Sequence, residues 1–145
     1  MDDYESSLQM KKRKKLIITA IILLAFVLLI TYDALKPPKI DYYSSELYTK
    51  DEIKEAVDVV KAKYKDTKNK LISISYAGDY RSLDEMGYYN KETGIRIADC
   101  IVLRIEYRSP FFGDYFHDPN KIYSNSWVLV KDEGGTWIVL TSGQC

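Results

Sequence analysis

The chain has 145 residues, with 21 Lys+Arg against 21 Asp+Glu, and carries no formal net charge. Residues 1–15 hold five basic and three acidic side chains, while from Lys36 onward 16 basic residues meet 17 acidic ones. A domain this balanced lacks the electrostatic footprint of a nucleic-acid binder, so no nucleic-acid partner is expected. Two cysteines, Cys100 and Cys145, and one histidine, His117, are too few for a Cys/His zinc site. Neither a metal nor a cofactor is expected.

Residues 1–15 read as a cytoplasmic tail that ends in the cationic run Lys11, Lys12, Arg13, Lys14 and Lys15. From Leu16 to Tyr32 the sequence LIITAIILLAFVLLITY holds no charge, Gly or Pro, and its polar groups are Thr19, Thr31 and the Tyr32 hydroxyl. A transmembrane helix over 16–35 spans about 30 Å, the thickness of a bilayer's hydrocarbon core. Lipid offers backbone amides no partner outside a helix, and Pro37-Pro38 ends this one. The cationic run keeps the N-terminus inside by the positive-inside rule, and it also suits anionic headgroups. Tyr32, Tyr42 and Tyr43 fall near the outer interface, where such rings are enriched.

A cleaved signal peptide is the competing reading. A cut after Ala34 would place Tyr32 where cleavage requires a small residue, so an uncleaved signal-anchor is expected. The chain is thus read as a single-pass protein of the cytoplasmic membrane, with its C-terminal domain outside.

Residues 36–47 form a linker containing Pro37, Pro38, Ser44 and Ser45, and the outer domain covers 48–145. Thr49 and Glu52 make a capping box. Ile53, Ala56, Val57, Val60 and Tyr64 follow at helical spacing, with Lys54, Glu55, Asp58, Lys61 and Lys65 on the solvated side. Leu71 to Tyr76 then alternates with period two and stops at Gly78-Asp79. Residues 80–94 are rich in turn formers and tyrosine and read as a connection. Ala98 to Arg108 is a long, half-buried strand. Ile101, Leu103, Ile105 and Tyr107 face one way, and Cys100, Val102, Arg104, Glu106 and Arg108 the other. Ser109-Pro110 breaks it, and an aromatic loop leads to Asn120. Ile122–Lys131 and Thr136–Thr141 form a hairpin about Asp132-Glu133-Gly134-Gly135. The expected fold class is α+β: one N-terminal transmembrane helix, then a single long helix packed on a curved, four-stranded antiparallel sheet.

The capped helix, the Ile101-Val102-Leu103 strand and the hairpin Trp127-x-Leu129-Val130…Gly134-Gly135-x-Trp137-Ile138-Val139 carry a family likeness. Over residues 45–143 the chain resembles a domain-of-unknown-function family of small secreted or membrane-anchored proteins from Gram-positive bacteria. That family has a cystatin-like, or nuclear-transport-factor-two-like, architecture. The resemblance implies the fold and no activity, because its motifs are packing positions. The ending Thr141-Ser142-Gly143 departs from the family's aromatic-glycine close. One anchoring helix plus such a domain also resembles the scaffold subunits of conjugation and type IV secretion machines.

Related folds hold enzymes that pair a carboxylate base with a tyrosine hydroxyl. Asp79, Asp99, Glu106 and Asp114 supply carboxylates here, and Tyr76, Tyr80, Tyr107 and Tyr123 supply hydroxyls. With 13 tyrosines in the chain such a pairing arises by chance, so no residue is assigned a catalytic role. His117, between Phe116 and Asp118, is expected to be an exposed loop histidine. The aromatics Phe111, Phe112, Tyr115 and Phe116 have two readings. In the first they plug the open end of the sheet over the helix; in the second they form a contact surface for a protein partner or the outer leaflet. Cys100 and Cys145 are a candidate disulfide outside the membrane, with two free thiols as the simpler alternative. The function expected is a non-enzymatic binding or assembly domain held outside the membrane. A small-ligand or isomerase-like pocket between helix and sheet is the alternative.

Overall fold

Absence of Gly and Pro from residues 2–35 lets one helix run unbroken through them. The computed structural model describes residues 2–94, 96–115 and 117–144. The chain divides into two units, residues 1–36 and 37–145. The first is a single helix, α1 (Asp2–Leu35), so the basic tail is helical as well and the helix does not start at Leu16. Its Ser7–Asp33 stretch is long and apolar enough to cross a membrane, and the most apolar window in it is nowhere buried. Thr19 Oγ1 donates to the Lys15 carbonyl at 3.0 Å and Thr31 Oγ1 to the Val27 carbonyl at 3.0 Å. Both hydroxyls are therefore satisfied by the helix itself, as an apolar solvent demands.

In the second unit α2 (Lys50–Lys65) starts at the expected capping box. The Glu52 amide donates to Thr49 Oγ1 at 3.3 Å, and the Thr49 amide donates to the Glu52 carboxylate at 2.9 Å. The five apolar residues read from the spacing are its buried stripe. The strands are β1 (Lys39–Asp41), β2 (Lys70–Tyr76), β3 (Cys100–Arg108), β4 (Ile122–Lys131) and β5 (Trp137–Gln144), and they lie in that order in one sheet. β2 to β5 pair antiparallel, as expected. β1 pairs with β2 in parallel, Lys39 opposite Ser73 and Asp41 opposite Ser75. The expected four-stranded antiparallel sheet is therefore a five-stranded mixed one. The extra strand comes from the stretch read as a linker, because three residues carry no legible period.

α2 lies on one face of this sheet. Ile53, Val57 and Val60 meet Ile74, Ile101, Leu103, Ile105, Leu129 and Trp137, none of them more than 3 % exposed. The other face holds a surprise. A second helix, α3 (Asp79–Tyr88), followed by a π turn at Tyr89–Thr93, replaces the expected connection. It packs on β3, where Cys100 and Val102, expected on a solvated face, are fully buried with Ile97, Val128 and Val130. Ser82 is buried with them, and its hydroxyl accepts from the Val102 amide at 3.2 Å. β3 is thus covered on both faces in its first half and on one in its second, where Arg104 and Glu106 are exposed.

Lys131 Nζ ties the sheet to α2, lying 2.9 Å from Glu52 Oε1 and 4.9 Å from the centre of the Trp137 ring. This ammonium, with the Thr49 amide and hydroxyl after it, holds the Glu52 carboxyl down to about 2. A carboxyl depressed in the folded state contributes stability that is complete above its ordinary value of 4.5 and is lost as pH falls through about 2. Glu52→Gln should cost about 1 kcal/mol near neutral pH, allowing for solvent screening. In urea titrations the gap to the parent protein should narrow between pH 4.5 and 2, and a constant gap would refute this account of the pair.

Candidate functional site

The β3–β4 connection, residues 109–121, is built on buried Ser109. The Ser109 amide donates to the Lys121 carbonyl at 3.0 Å, and its hydroxyl donates to the Asp118 carbonyl while accepting from the Lys121 amide at 2.9 Å. The amides of Gly113 and Asn120 both donate to the Pro110 carbonyl at 2.9 Å. Polar contacts therefore shape this loop. Its aromatic rings point outward: Phe111 is 73 %, Phe112 90 % and Tyr115 94 % exposed. Phe116 lies outside the described residues. These three rings do not plug the sheet end, contrary to the first reading. That end is closed by Tyr64, Tyr107, Tyr123 and Trp127, with Tyr64 5.8 Å from Tyr107 and 5.5 Å from Trp127, centre to centre, and Tyr107 stacked on Tyr123 at 5.7 Å.

His117 is not the exposed loop histidine expected. Its side chain is only 19 % exposed, with Nδ1 2.8 Å from Asp114 Oδ1 and Nε2 3.0 Å from the Tyr107 hydroxyl. Its ring meets those of Tyr107 and Tyr123 edge-on. The carboxylate favours the proton on Nδ1, which leaves Nε2 to accept from Tyr107. Asn125 Nδ2 lies 3.5 Å from the same hydroxyl. Burial pushes the buried Tyr107 phenol upward, so it stays a hydrogen-bond donor at neutral pH. An Asp–His–Tyr chain of this kind is able to relay protons, but its phenol end is buried among rings. In this place it latches the loop to β3. The signal was present in the sequence as Asp114-x-x-His117 directly after Gly113, a spacing that brings two side chains together where adjacency does not.

Of the carboxylates and tyrosines named above, Asp79 and Tyr76 also meet, at 2.8 Å. Burial pushes the Asp79 carboxyl up, yet hydrogen bonds from Ser45, the Glu46 amide, Tyr76 and the Leu47 amide outweigh it and hold the group below its ordinary value. A base needs the reverse shift. Asp79 instead clamps the 45–47 segment to the start of α3. Glu106 accepts from Ser73 Oγ across the strand pair at 2.8 Å, the ordinary cross-strand role. Tyr123 accepts the Asp118 amide through its hydroxyl at 2.9 Å, and Tyr80 stands in solvent. Asp99 is exposed. These groups do not converge on one point.

Two adjoining clefts of about 250 and 360 Å³ lie along β1 on the sheet face away from α2, sharing Tyr43, Ser75 and Arg104. Tyr43 is held there at φ +33°, an unusual backbone for a non-glycine residue. A third, of about 450 Å³, is a shallow surface hollow beside Asn90, Arg96, Ile97 and Ala98. All three are outside the filled space between α2 and the sheet. Cys100 is buried, which pushes its thiol up to about 12, and Cys145 lies outside the described residues. Lys11, Lys12, Arg13, Lys14 and Lys15 are exposed along α1.

Comparison with family models, curated proteins and solved structures found no match for this chain.

Gly113 sets the shape of the loop. Its φ is +69°, and an added Cβ would sit 2.8 Å from the His117 carbonyl oxygen and 3.1 Å from the Pro119 nitrogen, both backbone atoms. Gly113→Ala should cost about 1–3 kcal/mol of local stability. Amide hydrogen exchange is expected to speed up across residues 110–121 and to stay unchanged in α2. Unaltered exchange in the loop would show that the turn tolerates a side chain.

Proposed function

We propose that this chain is a single-pass membrane protein whose C-terminal domain is a non-enzymatic binding and assembly module outside the cytoplasmic membrane. The observation that carries the reading is the contrast between its two units. α1 presents an unburied apolar surface on every side, whereas residues 37–145 close a core of their own with α2 and the sheet. A helix apolar all round belongs to a protein interior or to lipid, and none of its most apolar window is inside protein. The Lys11–Lys15 run at one end supports an inward N-terminus.

A contact role fits the domain better than a pocket. The space between α2 and the sheet is filled by buried side chains, at most 8 % exposed, whereas a ligand site needs several hundred Å³ with converging polar groups. Exposed aromatic side chains, by contrast, are the material of contact surfaces. The cystatin-like resemblance and the likeness to secretion-machine scaffolds agree with such a role, as analogies of fold.

Protease added to intact protoplasts tests the arrangement. Residues beyond Lys36 should be digested, leaving a fragment that contains α1. A domain protected until the membrane is opened would reverse the proposed orientation.

A further inference from the structure

We propose that the sheet end carrying the β3–β4 loop docks on the bilayer, with Phe111, Phe112 and Tyr115 set into the boundary between headgroups and acyl chains. This rests on the reading of α1 as a membrane span. Strand register locates the loop. β2 starts at Lys70, opposite Arg108, and Arg108 lies opposite Ile122, so all three share one sheet end with residues 109–121. β1 runs parallel to β2 and enters at Lys39, opposite Ser73. That point is three residues in from the same end, about 10 Å at the rise of a strand. Only Lys36, Pro37 and Pro38 separate Lys39 from Leu35, the last residue of α1. Proline keeps the residue before it extended. The chain therefore enters β1 from the loop's end of the sheet.

Charge points the same way. α2 runs from Glu52, paired with Lys131 at the far end, to Tyr64, packed on Tyr107 at the near end. Its last turn and the connection to β2 bring Lys63, Lys65, Lys68 and Lys70 beside the loop, with Arg108 and Lys121 at the same end, against the acids Asp66, Asp114 and Asp118. The far end carries Asp51, Glu52, Asp99, Asp132 and Glu133. A lysine-bearing near end suits anionic headgroups, and an acidic far end is repelled by them. The loop itself is shaped by the Ser109 and His117 hydrogen bonds, and it presents Phe111, Phe112 and Tyr115 exposed. Phenylalanine at the acyl boundary with tyrosine at headgroup level is how interfacial anchors are composed.

The test uses the full chain in vesicles of phosphatidylcholine and phosphatidylglycerol, with a photoreactive benzoylphenylalanine replacing Phe26, Phe112 or Tyr80 in turn. Phe26 lies in α1, and Tyr80 is 83 % exposed at the far end of the sheet. After illumination, lipid adducts on intact protein are read by mass. Adducts at 26 and 112 and none at 80 are expected. An adduct at 26 with none at 112, equal labelling at 112 and 80, or protein crosslinks in place of lipid at 112 would overturn the docking while sparing the span. No adduct at 26 would overturn the span and the docking together.

Discussion

Everything in this protein follows from one constraint: the most apolar stretch of α1 is nowhere buried. Leu16, Ile22, Leu24, Phe26 and Leu29 are each more than half exposed on α1. Apolar surface in water costs about 25 cal/mol per Å², and soluble proteins rarely leave a continuous patch beyond a few hundred Å². A helix bare on every side exceeds that along its whole length. Its two threonines turn their hydroxyls back onto the helix, so the remaining polar groups do not oppose transfer into lipid.

The domain that follows closes cores of its own. α2 closes one face of the sheet with a narrow apolar stripe, and α3 closes half of the other. The polar devices are distributed at the seams. Glu52 and Lys131 join α2 to the hairpin, Asp79 joins the segment after β1 to α3, and Asp114, His117 and Tyr107 join the long loop to β3. Each is a set of hydrogen bonds that positions a connection, and Phe111, Phe112 and Tyr115 of that loop stand exposed.

The span, α2 with its capping box, β3 and the closing hairpin were legible because each carries a strong local signal: an uninterrupted apolar run, a period of 3.6, or a period of two about a glycine turn. α3 was not. It begins at Gly78 without a side-chain cap and contains Gly87, and its inward residues are small or partly polar, with Ser82 the one fully buried. Its existence was written instead in β3, where Cys100 and Val102 sit apolar on the face that alternation assigned to water. β1 is three residues long and became visible only through its pairing with β2. The loop was recognised as unusual from its aromatics, but whether these face inward or outward depends on Ser109 and Gly113, whose hydrogen bonds and positive φ no periodicity reveals.

Alkaline carbonate extraction of cell membranes carrying the full chain is the most direct test of the central claim. Peripheral proteins are released by it, and helices embedded in the hydrocarbon core are not. The account predicts that the intact protein, with the Lys11–Lys15 run still attached, stays in the membrane pellet until detergent is added. Recovery in the carbonate supernatant, or of a form cut near Ala34, would contradict it.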